Sequence, residues 1–174
     1  YPIISDLYEQ RKNNETKAIE AIFLYPLNAL MYDQKDRLKK YCKKTGLHFA
    51  VYNGKTDEYK RQNELIVDNE VMARNGIREA ATRPEILLTN PSMLEYILVR
   101  EADRGMLSQG KLRWIVIDEA HTYSGSAAVE LAYQIKRILN AFGVTPNEVR
   151  FACTSATIGG EDGSDELKRF IANI

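Results

Sequence analysis

Trp114-Ile115-Val116-Ile117-Asp118-Glu119-Ala120-His121 is the stretch on which the fold turns. Its apolar run, with no polar interruption, reads as a strand buried on both faces, as in a parallel sheet. The run ends abruptly on two adjacent carboxylates. Delivering neighbouring negative charges from a buried strand is costly without company, so a cation or a charged ligand is their natural partner. An isolated Asp-Glu pair is more commonly just a cap on the next helix, so its weight depends on its surroundings.

Working outward, residues 21–25, 49–52, 86–89 and 149–154 carry similar apolar, β-branched or aromatic runs. Helical spacing fills the gaps. Leu30, Met31, Leu38, Tyr41 and Cys42 place a helix over residues 28–45, with Gly46 at the C-terminal cap. Ser92-Met93-Leu94-Glu95 reads as a capping box opening a helix to about residue 100. Ala127, Ala128, Leu131, Ala132, Ile135, Ile138 and Leu139 mark another helix, stopped by Gly143. Ile3, Ile4 and Leu7 give a short helix at the start of the chain. Residues 56–84 are charged and poor in apolar anchors, and they read as helices joined by a surface excursion. Alternating strands and helices predict a doubly wound α/β domain, whose ligands bind beyond the carboxyl ends of the strands.

Composition excludes more than it assigns. The 174 residues are 44% hydrophobic and 28% charged, ordinary for one globular domain. Lys+Arg and Asp+Glu both number 24, so no overall basic excess points to a polyanion. Lys39, Lys40, Lys43 and Lys44 read as the solvated face of a helix. Charges interrupt every apolar stretch short of the roughly 18 residues a membrane helix requires, so no membrane partner is expected. The first residues do not resemble a signal peptide, and the two cysteines make no disulfide framework; both point to a cytoplasmic location.

Polar residues follow the other strands as well. Thr154-Ser155-Ala156-Thr157 can satisfy a turn or bridge His121 to a neighbour. Tyr25-Pro26-Leu27-Asn28-Ala29-Leu30 and Thr89-Asn90-Pro91-Ser92 each open a helix, where backbone amides beside Asn and Thr side chains suit a phosphate. Either segment alone is more commonly just a good N-cap. Tyr25 and Tyr52 could stack on a base, but strand-borne tyrosines are more commonly core.

In this order, each at a strand end, the segments resemble the superfamily 2 DEAD/DEAH-box helicases. Tyr25 to Leu30 is similar to motif Ia, Thr89 to Leu94 to motif Ib, Asp118-Glu119-Ala120-His121 to motif II, and Ser155-Ala156-Thr157 to motif III. The likeness covers residues 22–158. Thr122-Tyr123-Ser124-Gly125 after motif II, together with Glu95-Tyr96 after motif Ib, narrows it to the bacterial YprA or mitomycin-repair type, RecQ-related DNA helicases. The resemblance implies a RecA-like sheet of the P-loop NTPase type, mostly parallel, with helices on both faces. Residues 1–174 would form a single partial first RecA-like domain. It implies ATP and Mg²⁺ as cofactors of the intact parent, with Asp118 holding Mg²⁺ through water and Glu119 as the base for water attack. His121, Ser155 and Thr157 would couple nucleotide state to a second RecA-like domain of the same chain. Pro26, Asn28, Thr89 and Asn90 would hold single-stranded or duplex nucleic acid, DNA favoured.

The glycine-lysine phosphate loop of such motors is not in the sequence; Gly159-Gly160 runs into Glu161-Asp162 instead. The expectation is a chain that starts downstream of that loop and lacks its strand. Alone it would be inactive and less stable than the whole domain. Two rivals stand beside this reading. One is a RecA-like module that binds nucleic acid without hydrolysis. The other is a metal-dependent hydrolase built on Asp118, Glu119, His121 and His48.

Overall fold

The computed structural model describes residues 2–12, 17–107 and 111–155. Strands form where the apolar runs predict them: β1 (Ala21–Leu24), β2 (Phe49–Val51), β5 (Ile86–Thr89), β6 (Trp114–Ile117) and β7 (Arg150–Cys153). Two further strands, β3 (Ile66–Val67) and β4 (Glu70–Val71), extend the sheet. The order is β3-β4-β2-β5-β1-β6-β7, parallel throughout except for the β3–β4 hairpin.

The helices are α1 (Pro2–Lys12), α2 (Asn28–Thr45), α3 (Arg74–Arg78), α4 (Pro91–Val99), α5 (Arg104–Leu107) and α6 (Ser126–Phe142). Side chains alternate across each strand, so the sheet needs cover on both sides. Ile22, Leu24, Leu87, Ile115 and Ile117 point to a core shared with α4, α5 and α6. Ala21, Phe23, Phe49, Ile86, Leu88 and Val116 point to a second core, shared with α1 and α2. Burying one such aliphatic or aromatic side chain stabilises the fold by about 1.5–3 kcal/mol. Tyr25 and Tyr52 belong to these cores, 4% and 0% exposed, rather than to a stacking surface.

Two expectations need correction. Residues 56–84 are not mainly helical: they hold the β3–β4 hairpin, one short α-helix, α3, and a single 3₁₀ turn at Gln62–Glu64. Asp68 and Asn69, both at positive φ, make the hairpin turn, and their short polar side chains tolerate it. The cap of α4 is Asn90, whose side chain accepts from the Met93 amide at 2.8 Å, with Pro91 as the first helical residue. Glu95, assigned above to a box with Ser92, pairs instead with Arg137 of α6. The caps at Gly46 and Gly143 fall as predicted, at φ 72° and 67°.

A buried pair anchors the 56–84 excursion. Asp103 is fully buried and accepts from the Tyr52 hydroxyl at 2.7 Å and from Arg78 Nε at 2.6 Å. The end of β2, α3 and the segment before α5 therefore meet at one carboxylate. At the amino-terminal ends of the strands, Glu20 and Glu85 lie next to each other and are nearly fully buried. Burial, reinforced by the like charge of Glu85, pushes the Glu20 carboxyl up to about 7. Among the described residues, no helix is long and apolar enough to cross a membrane.

Two outcomes are expected. Asp103→Ala leaves Arg78 without its buried partner and should cost about 3 kcal/mol in urea denaturation, the low end for a broken buried pair because Arg78 is partly exposed. A carboxyl raised in the folded state supports the fold while protonated, fully below its unfolded value of 4.5, and that support is lost as pH rises through about 7. Glu20→Gln should therefore raise the melting temperature at pH 8 and leave it nearly unchanged at pH 4.

Candidate active site at the carboxyl ends of the strands

The register sets the site. Leu24 of β1 is level with Thr89 of β5 and with Ile117 of β6, and Ile117 is level with Cys153 of β7. Tyr25, Asn90, Asp118 and Thr154 therefore leave the sheet side by side. The ladder runs one residue further, from Asp118 N to Leu24 O at 2.8 Å and from Thr154 N to Ile117 O at 3.0 Å.

After Asp118 the chain turns sharply. Glu119 sits at φ 50° and ψ 45°, a left-handed conformation that side chains other than glycine adopt at a cost. Thr154 holds this turn. Its hydroxyl donates to Asp118 Oδ1 and accepts from the Glu119 amide at 3.3 Å, and its carbonyl accepts from the Ala120 amide at 2.8 Å. His121 Nδ1 lies 3.2 Å from Glu119 Oε2 and 3.1 Å from Ser155 Oγ. One nitrogen cannot serve both in the same way: protonated it donates to Glu119, unprotonated it accepts from Ser155. The structure thus brings Asp118, Glu119, His121 and Ser155 together. Thr157 lies outside the described residues.

The other half of the site lies on β1 and β5. Asn90 Nδ2 donates to Asn28 Oδ1 at 3.0 Å, joining two loops 62 residues apart. Pro26 is half-buried and Asn28 exposed at the start of α2, whose N-terminus has no side-chain cap. Thr89 is fully buried, and its hydroxyl donates to Tyr52 O at 2.8 Å, so it faces the neighbouring strand rather than the open edge. The row continues into a loop that the sequence reading did not single out. Asn53 accepts from the Lys55 amide at 2.8 Å and donates to the Tyr32 hydroxyl at 3.1 Å. The Asn53-Gly54 dipeptide directly after a strand was its available signal.

One carboxylate oriented by a threonine hydroxyl suits Mg²⁺, which keeps most of its water and takes few protein ligands. Among the described residues no three His, Cys, Asp or Glu side chains cluster as a metal cage. His48 precedes β2, at the opposite end of the sheet, 3.3 Å from Lys17 Nζ. Burial, with the charges of Lys17 and Arg11, pushes it down to about 4. The hydrolase reading loses its fourth residue.

The profile of the DEAD/DEAH box helicase family matches residues 1–165. The chain belongs to that family. It is 33% identical over 180 residues to Druantia protein DruE of Escherichia coli (strain UMEA 4076-1), covering 93% of this chain and 9% of that protein. It is 30% identical over 162 residues to the uncharacterized ATP-dependent helicase YprA of Bacillus subtilis (strain 168), covering 90% of this chain and 18% of YprA. The solved structure of DUF1998 helicase MrfA bound to DNA and AMPPNP is similar at a TM-score of 0.65 and 27% identity, over 97% of this chain and 20% of that one. The chain spans about a fifth or less of the length of these relatives. The sheet is therefore the RecA-like sheet of a DEAD/DEAH box helicase, and the likeness to YprA-type helicases holds.

The turn at Glu119 gives this helicase-family site a measurable signature. Glu119→Gly should be about 1 kcal/mol more stable than Glu119→Ala in chemical denaturation, because only glycine takes the left-handed backbone without steric cost.

Proposed function

We propose that this chain is the part of an ATP-dependent nucleic-acid helicase or translocase that holds the magnesium nucleotide and grips one nucleic-acid strand, DNA favoured. The observation that carries the reading is the joining of two half-sites on one sheet edge. Asp118 and Glu119 are bonded to Thr154, His121 lies between Glu119 and Ser155, and β1 links this group to the Asn28–Asn90 pair.

In this reading Asp118 holds Mg²⁺ through water, with its carboxylate kept in place by Thr154. Bound magnesium neutralises charge on the nucleotide phosphates. Glu119 accepts the proton of the attacking water. His121, by turning from Glu119 to Ser155, passes the state of the site to residues 155–157 and, with Thr157, to a second RecA-like domain elsewhere in the protein. Pro26, Asn28 and Asn90, with the uncapped amides of α2, contact the strand's phosphates, while Thr89 fixes the loop from below. Contacts of this kind are independent of base sequence and weaken with salt. The likeness to a MrfA structure bound to DNA and AMPPNP supports ATP and DNA over other ligands. Residues 1–174 make up one part of the first motor domain. Residues 1–174 hold no glycine-lysine phosphate loop, and in this reading they hydrolyse no ATP by themselves.

The test is nucleic-acid-stimulated ATP hydrolysis by the protein at its natural length, with DNA and RNA compared. Glu119→Gln should reduce turnover by about 100-fold or more, the usual weight of a general base, and leave strand binding intact. Hydrolysis that survives Glu119→Gln, or that appears in the isolated chain, sinks the assignment. Strand binding with no hydrolysis in the wild type favours a non-hydrolysing clamp.

A further inference from the structure

Tyr123 follows the turn at Ala120–Thr122, and its ring packs against the larger core. Its hydroxyl oxygen is buried and finds no hydrogen-bond partner among the described residues. That is unusual for a phenol: buried tyrosine hydroxyls generally find a partner, as Tyr52 does in Asp103. An unpartnered buried donor destabilises the conformation that contains it. Burial first, and then the neighbouring negative charge of Asp118, push the Tyr123 hydroxyl up to about 12, so it keeps its proton and remains a donor. The carboxylate it senses has acceptor capacity to spare, since Thr154 engages Oδ1 and an ionised carboxylate can accept several bonds.

We propose that Tyr123 is a positioning residue for Asp118: its hydroxyl donates to the Asp118 carboxylate when magnesium nucleotide occupies the site. With Thr154 on one oxygen and Tyr123 on the other side, the carboxylate would be held in one orientation toward the cation it binds. The hydroxyl, without a partner among the described residues, gains one in the loaded site. This inference rests on the reading of Asp118 as the magnesium residue and adds to it a donor from the segment after the Asp-Glu-Ala-His turn. The competing explanation is that the ring merely fills the core and the hydroxyl is incidental.

Tyr123→Phe separates the two, because it keeps the ring and removes only the hydroxyl. The experiment uses the protein at its natural length and reads binding of a fluorescent ADP analogue as Mg²⁺ is titrated, together with melting temperature. The Mg²⁺ concentration at half-saturation should rise threefold to tenfold in Tyr123→Phe, on the order of one hydrogen bond to a charged group. Binding without Mg²⁺ should not change, and the ligand-free melting temperature should stay level or rise. Thr154→Val should shift the Mg²⁺ midpoint in the same direction. An unchanged midpoint in Tyr123→Phe overturns the proposal, and so does a ligand-free melting temperature lowered by several degrees, which would mean the hydroxyl is already partnered at rest. A wild type without magnesium-dependent nucleotide binding overturns the functional reading itself. Normal wild-type binding with an indifferent Tyr123→Phe overturns only the role of Tyr123.

Discussion

Everything in the domain hangs from the central strand β1. It is hydrogen-bonded in parallel to β5 on one side and to β6 on the other, and each of its residues is 4% exposed or less. A strand enclosed in this way has no freedom of register. A one-residue slip would exchange the residues facing the two cores, Ile22 and Leu24 on one side and Ala21 and Phe23 on the other. The two apolar layers thus determine which residues leave the sheet together at its carboxyl edge. Packing fixes the pairing of Asp118 with Thr154 and of Asn28 with Asn90, and the polar contacts follow from it.

The sheet also separates two kinds of charge. Its amino-terminal edge holds the buried Glu20 and Glu85 and the half-buried His48 beside Lys17 and Arg11; burial pushes both carboxyls up and the imidazole down, toward their uncharged forms. Its carboxyl edge holds Asp118 and Glu119 half-buried, beside Thr154 and His121. Asp6 reinforces the closed end: it accepts from Trp114 Nε1 at 2.8 Å and pairs with Arg113 and Arg150, tying α1 to β6 and β7.

The five long strands and the helices α2, α4 and α6 were legible because buried parallel strands read as unbroken apolar runs and amphipathic helices keep their period. The hairpin was not: strands of two residues leave no periodicity, although Asp68-Asn69 between Ile66-Val67 and Glu70-Val71 is a turn signal in its own right. Asn90 rather than Ser92 caps α4 because the following proline sets the first helical residue, a constraint that outranks the box pattern. Within the site, the strand-end positions of Asp118, His121, Ser155 and Asn28 could be read directly. The burial of Thr89 and of the Tyr123 hydroxyl could not, since both depend on what the neighbouring strands and helices bring within reach.

The left-handed backbone at Glu119 ties the acid pair to the far end of the sheet. Thr122 holds the carbonyl of this residue, but its amide and the next one are held by Thr154, thirty-five residues later in the chain than Glu119. Without β7 beside β6 the turn would keep only its local bonds from Thr122, and less would offset the steric cost at Glu119. A change that loosens β7 at the sheet's edge therefore reaches the acid pair through its backbone, even where it touches neither carboxylate.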